Sequence, residues 1–144
     1  MNPDQSGNGK PIPQGLYVPA IRRGDMIFTA GMTPRRNGVL QFTGILPASA
    51  DPAQHGDAVI LSCGNALSAA QSQLGADERL SAILSLTVYI AAEPGFTAHS
   101  KLADYASQFL KDQLGDIAIG CRAAIGVATL PGNAPVEIQL VACV

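Results

Sequence analysis

Ten residues, Ile83 to Ala92, read ILSLTVYIAA, and no other stretch narrows the possible folds as much. Leu84, Leu86, Val88 and Ile90 alternate with Ser85, Thr87 and Tyr89, the two-residue period of a strand with one core face. Such a face has to be covered, and two helical patterns can cover it. Val59, Cys63, Leu67, Ala70 and Leu74 recur at helical spacing behind Asp51-Pro52, a helix-start pair, with Gly75 as the stop. Gly56 and Gly64 fall inside that expected helix at about 1 kcal/mol each relative to alanine, so it depends on tertiary packing. Leu102, Tyr105, Phe109 and Leu110 mark a second amphipathic helix ending near Gly115.

The remaining apolar stretches read as strands. LYVPAI and DMIFTAGMTP flank the turn RRGD and predict a hairpin from about Leu16 to Thr33. VLQFTGIL, after the RRNG turn, adds a short strand. The closing stretch, from Cys121 to Val144, holds two strands that pair as a hairpin through PGNA. The order β-β-(β)-α-β-α-β-β carries no internal repeat and no linker. It implies a two-layer α+β domain over 15–144, one mixed β-sheet with two helices packed on one face, behind a flexible or clamped arm at 1–14.

Two helices leave the other face of the sheet bare. The expected helix side holds Leu84, Leu86, Val88, Ile125, Val127, Val136, Ile138 and Leu140. The opposite parity collects Ser85, Thr87, Ala124, Gly126, Ala128, Gln139 and Val141, with Arg122 and Glu137 as its charges. A solvated face normally carries lysine, glutamate and threonine, whereas this one is small and nearly uncharged. Only 14% of the 144 residues are charged, against roughly 25% in a typical soluble chain. Another subunit is therefore expected on the bare face; a mildly polar exposed face is the alternative. In the expected hairpin register Arg122 and Glu137 stand roughly 23 Å apart along the ladder, too far to meet within one chain.

Composition excludes several classes. A net charge of −2 and the absence of tryptophan give no footprint for nucleic acid. No apolar run approaches the roughly 20 residues that span a bilayer, and the polar start is unlike a secretory signal. Cys63, Cys121 and Cys143 are odd in number and lack metal spacing, which points to a reducing cytoplasm. No metal or organic cofactor is expected.

The stretch RAAIGVATLP from Arg122, followed by Val136-Glu137-Ile138, resembles the carboxy-terminal signature of the RidA/YjgF family. GLYVPAI and DMIFTAGMTP are similar to that family's tyrosine segment and its serine-glycine-glutamine strand. The resemblance runs from about Gly15 to Val144 and is nearest to a less characterised branch. It implies a chorismate-mutase-like fold and a homotrimer with ligand sites between subunits. It also implies hydrolysis of reactive enamines and imines to 2-keto acids and ammonia. By motif, Arg122 binds the substrate carboxylate, Glu137 holds the attacking water, Tyr17 lines the site, and backbone groups near Gly31 and Ala124 bind substrate. The family's serine is Ala30 here, its glutamine is Met32, its cysteine is Ala124, and its second-helix asparagine has no clear equivalent near Ser100 to Leu102.

The chemistry suits those roles. A guanidinium grips a carboxylate bidentately, and a 2-imino acid then needs only orientation, a placed water and a proton acceptor. Plainer roles stay open: Arg122 as an interface ion-pair partner, Glu137 as a solvated edge residue, Tyr17 as packing. His55 and His99 read as surface or capping residues. The competing functions are a non-catalytic binder of small keto acids and, less favoured, a ribonuclease or translation inhibitor.

Overall fold

The computed structural model describes residues 10–144; of the arm expected at 1–14, positions 1–9 lie outside the described residues. Its main sheet begins with the expected hairpin, β1 (Ala20–Arg23) and β2 (Met26–Thr29), turned at Gly24. A two-stranded ribbon follows, β3 (Arg35–Arg36) and β4 (Val39–Leu40), closed by Asn37 and Gly38 at φ 52° and 81°. Two successive positive φ values match the twist of a tight hairpin. VLQFTGIL thus supplies the two residues of β4, outside the main sheet, and a single parallel bridge from Leu46 to Ala92 just past β5. It leaves the ribbon because Gly44, at φ 105°, donates its N–H to Asn133 O.

The helices are α1 (Gly56–Gln71) and α2 (His99–Leu114), and the later strands are β5 (Ala82–Ala91), β6 (Cys121–Val127) and β7 (Val136–Cys143). Asp51 caps Ala53 N–H at 3.0 Å, but the turn it opens is a short 3-10 segment, Pro52–Gln54. Gly56 is therefore the first residue of α1 rather than an interior one. A Cβ there would lie 2.7 Å from the Tyr105 ring of α2, so glycine lets the helices meet. Most of α1 is buried, Gly64 included, which supplies the packing its composition demands. From α1, buried Asn65 donates to Thr33 O at 3.1 Å and Arg35 O at 2.9 Å, fixing the segment after β2.

The sheet runs β1-β2-β7-β5-β6, antiparallel throughout except for the parallel pair β5–β6. This corrects the expected closing hairpin: β6 and β7 do not pair, because β5 lies between them. PGNA is part of a crossing connection, with Gly132 and Asn133 both at positive φ. The core sits between the sheet and the helices, where Leu86, Val88, Ile90, Val136, Ile138 and Leu140 are buried. Each such side chain contributes about 1.5–3 kcal/mol. Leu84 departs from the expected parity. A register shift between Ile83 and Ser85 buries Ile83 and leaves Leu84 37% exposed.

The parity of β6 is inverted as well. Register pairs Leu86 with Arg122 and Val88 with Ala124, so Arg122, Ala124 and Gly126 face the helices. Ile125 faces away with Tyr89 and is 40% exposed. Beyond Arg122 the inner face of β6 carries the small residues Ala124 and Gly126 because α2 comes close: a Cβ on Gly126 would meet His99 Nε2 at 2.6 Å. Among the described residues, no helix is long and apolar enough to cross a membrane.

Just before β6, a Cβ on Gly120 would run into the backbone carbonyl of Ile83 and lie 2.8 Å from that of Leu84. Backbone cannot yield as a side chain can, so Gly120→Ala is expected to cost about 1–3 kcal/mol. Gly126→Ala presses only on the His99 ring and should cost less. Urea denaturation of the two variants tests this order.

Candidate functional site

The five residues expected at a site fall into two groups on opposite faces of the sheet. Glu137, in β7, pairs with Tyr89 and points away from the helices. Arg122 is in register with Leu86 and points toward them. Three residues along β5 and two strand spacings separate the pair, roughly 14 Å between backbones. The expected 23 Å rested on the wrong register. The sheet itself, rather than distance along a ladder, keeps the two side chains apart.

The first group is built around Glu137. After Phe28 opposite Val141, the next contact of this edge with β7 is Met32 opposite Ile138. One chain has advanced four residues and the other three, so a residue is extra, as in a bulge. Thr29 Oγ1 fills the gap by accepting Leu140 N–H at 3.1 Å. The displaced backbone brings Gly31 over Glu137, where a Cβ would lie 2.7 Å from Cδ and Oε2. Any side chain at 31 would occupy the carboxyl's place.

Glu137 is half-buried, and its carboxyl has no hydrogen bond or ion pair among the described residues. Burial raises its pKa above the ordinary carboxylate value. Gly31 and Tyr17 line a neighbouring cavity of about 60 Å³ with Ile12, Thr33 and Asn65. That is room enough for water. Tyr17 is 49% exposed, with its hydroxyl accepting Gln14 N–H at 3.1 Å.

The second group is built around Arg122, on edge strand β6. Its Nη1 donates to Asp104 Oδ1 at 2.8 Å and Ser107 Oγ at 3.0 Å. Its Nη2 donates to Ser100 Oγ at 2.9 Å and Ser100 O at 3.3 Å. Arg122 and Ala124 line an open cleft with Thr97, His99, Ser100 and Gly126. Sequence reasoning set His99 aside as a surface or capping residue. Instead it opens α2 and stands edge-on to Phe96, centroids 4.9 Å apart, over Gly126. Ser100, Asp104 and Ser107 were also missed, although their i, i+4, i+7 spacing is a legible polar stripe.

Among the described residues no cluster of three or more histidine, cysteine or acidic side chains is placed to hold a metal ion. What the two groups offer is a cation for an anionic ligand on one face and an uncompensated carboxyl beside a water-sized cavity on the other.

Residues 8–144 match the family described as Endoribonuclease L-PSP. A curated relative, Protein TCP17 of Trypanosoma cruzi, is 30% identical over 129 residues, covering 88% of this chain and 80% of the relative. A protein of unknown function from Agrobacterium tumefaciens has a solved structure that matches with TM-score 0.84 and 28% identity, covering 96% and 87% of the two chains. E. coli TdcF with bound serine matches with TM-score 0.67 and 24% identity, covering 94% and 93%. Further structures of this fold are described as candidate endoribonucleases or translation initiation inhibitors.

The half-buried setting of Gly31 and the partly desolvated setting of Glu137 lead to two expectations. In Gly31→Ala only the far end of the Glu137 side chain has to move. Stability should fall by no more than about 1 kcal/mol, while any function of that carboxyl is lost. For Glu137 itself, the raised folded-state pKa means that the unfolded chain ionises first as pH rises. The folded chain then holds the extra proton, and stability falls from about pH 4 upward until Glu137 has ionised in the fold. Glu137→Gln should therefore be more stable than wild type at pH 7 and equal to it below pH 4 or so. Denaturant titrations across pH measure the difference; a glutamine variant less stable at pH 7 would contradict the desolvation account.

Proposed function

The chain belongs to the Endoribonuclease L-PSP family, the RidA/YjgF family of the sequence resemblance, and on that premise we propose that it hydrolyses small 2-imino and enamine acids to 2-oxo acids and ammonia. The single observation that carries this reading is the split of Arg122 and Glu137 between opposite faces. Each face holds one of the two groups that the reaction needs and lacks the other. Two copies that bring the Glu137 face of one against the Arg122 edge of the next complete a site that neither has alone.

In such a site Arg122 binds the substrate carboxylate and leaves the imine carbon facing the neighbour. Glu137 accepts a proton from water as its oxygen bonds to that carbon, then returns the proton to nitrogen. The carbinolamine expels ammonia and leaves the 2-oxo acid, so one water is consumed and one ammonia released. A carboxyl lifted above its ordinary pKa is a better proton acceptor than a solvated one. Tyr17 and Gly31 border the water-sized cavity, while Ala124 lines the carboxylate side. The serine bound in TdcF is a small carboxylate of the right size for this scheme.

We assign the bare sheet face to the contact between copies and expect a homotrimer. Ile21 and Phe28 stand side by side on that face, each 42% exposed, in line with Val141, Ser85 and Cys121. Unpaired apolar rows of this kind are costly in water. A binding protein without turnover is the second reading, favoured by the four hydrogen bonds that already occupy Arg122. The ribonuclease reading draws on the family's description, but a net charge of −2 offers little to a phosphate backbone.

The test is direct. A threonine dehydratase generates 2-aminocrotonate, and purified protein should speed 2-oxobutanoate formation. Arg122→Lys keeps the charge but not the fork, and should lose on the order of 2 kcal/mol, about 30-fold, in kcat/KM. Unchanged keto-acid formation with wild-type protein would eliminate the hydrolase. Light scattering at micromolar concentration should give three chain masses.

A further inference from the structure

The stripe on α2 that meets Arg122 has a consequence for how the arginine presents itself. A guanidinium carries five N–H donors. Both hydrogens of Nη1 are taken, by Asp104 Oδ1 at 2.8 Å and Ser107 Oγ at 3.0 Å. Nη2 is held more loosely, by Ser100 Oγ at 2.9 Å and by the Ser100 carbonyl at 3.3 Å. Nε–H has no partner among the described residues. The guanidinium is therefore anchored at one corner, and its Nε–Nη2 edge is the one left to offer.

Asp104 lies on the far side of the guanidinium from the open cleft. The cleft is lined by Arg122, Ser100 and His99 but not by Asp104 or Ser107, which border a separate surface hollow on α2. The ion pair is also a poor candidate for holding the fold together, since the Asp104 side chain is 68% exposed. Exposed pairs contribute at most about 1 kcal/mol. Its consequence is geometric: it stops a long, flexible side chain on an edge strand from turning into solvent.

We propose that Asp104, seconded by Ser107, is the positioning residue for Arg122, fixing Nη1 so that the Nε–Nη2 edge faces a carboxylate ligand. The inference rests on the reading of Arg122 as the carboxylate-binding group and deepens it. A carboxylate arriving side-on takes Nε–H and one Nη2–H, and replaces one of the two Ser100 contacts. Asp104 touches no ligand in this arrangement.

The experiment uses whole protein with 15N-labelled arginine and follows the Arg122 Nε–H resonance while 2-oxobutanoate is added. Wild type should show a saturable shift. Asp104→Ala should weaken binding roughly three- to tenfold with the thermal midpoint within about 2 °C. Asp104→Asn, which keeps an acceptor oxygen, should stay within about twofold of wild type. Equal or tighter binding in Asp104→Ala would overturn the proposal, as would an asparagine variant as weak as alanine. If wild type shows no saturable shift, the functional reading falls, yet the ligand-free resonance still decides positioning. A single sharp Nε–H signal that broadens in Asp104→Ala supports it, and an unchanged signal refutes it.

Discussion

The parallel ladder between β5 and β6 is the constraint on which the rest of the molecule depends. Because β6 runs alongside β5 in the register Leu86 with Arg122, the arginine points to the helix side. Because β7 flanks β5 on its other edge with Tyr89 opposite Glu137, the glutamate points away. A slip of one residue in either ladder would turn one of the two side chains to the other face. Gly120, which admits no side chain against the Ile83 and Leu84 carbonyls, and the small residues Ala124 and Gly126 under α2 hold that register.

Two different solutions to the problem of a charge on a sheet follow from this placement. Arg122 is satisfied within the chain by four contacts from α2, and what it keeps for a ligand is one edge. The Glu137 carboxyl has no partner among the described residues and is partly desolvated, so it is held in a state that a water, a proton or a neighbouring subunit would relieve. Desolvation costs stability, and groups that carry such a cost cluster at functional sites. Gly31 belongs to the same design: the extra residue after Phe28 carries the backbone over the carboxyl, and a side chain there would displace it.

Much of this was legible in the residues, and the failures have identifiable causes. The strand at Ile83–Ala92, the two helices and the first hairpin are strong local patterns, and each is present. Strand order is a long-range property. PGNA is as good a local signal for a tight hairpin as for a crossing turn, so the parity of β6 was read from the wrong partner. Ile125 and Val127 looked like core because they are large, but an edge strand under the close-packed start of α2 needs small inward residues. Leu84 was misassigned because no local pattern announces the register shift at Ile83. The candidate site residues, Arg122 and Glu137, stood out by being charged in nearly uncharged strands. Asp104 did not, since an acidic residue on a helix surface is unremarked until its neighbour is known.

Opposite faces of one sheet cannot share a small substrate, so the proposed hydrolysis requires Arg122 and Glu137 from different chains. Arg122→Ala and Glu137→Ala proteins should each be inactive. Unfolded together and refolded, they form mixed oligomers in which some contacts join an intact arginine to an intact glutamate. Imine hydrolysis should return in those mixed oligomers, at a fraction set by statistical assembly, and stay absent when either variant is refolded alone. Verified mixed oligomers that remain inactive would contradict the two-chain site.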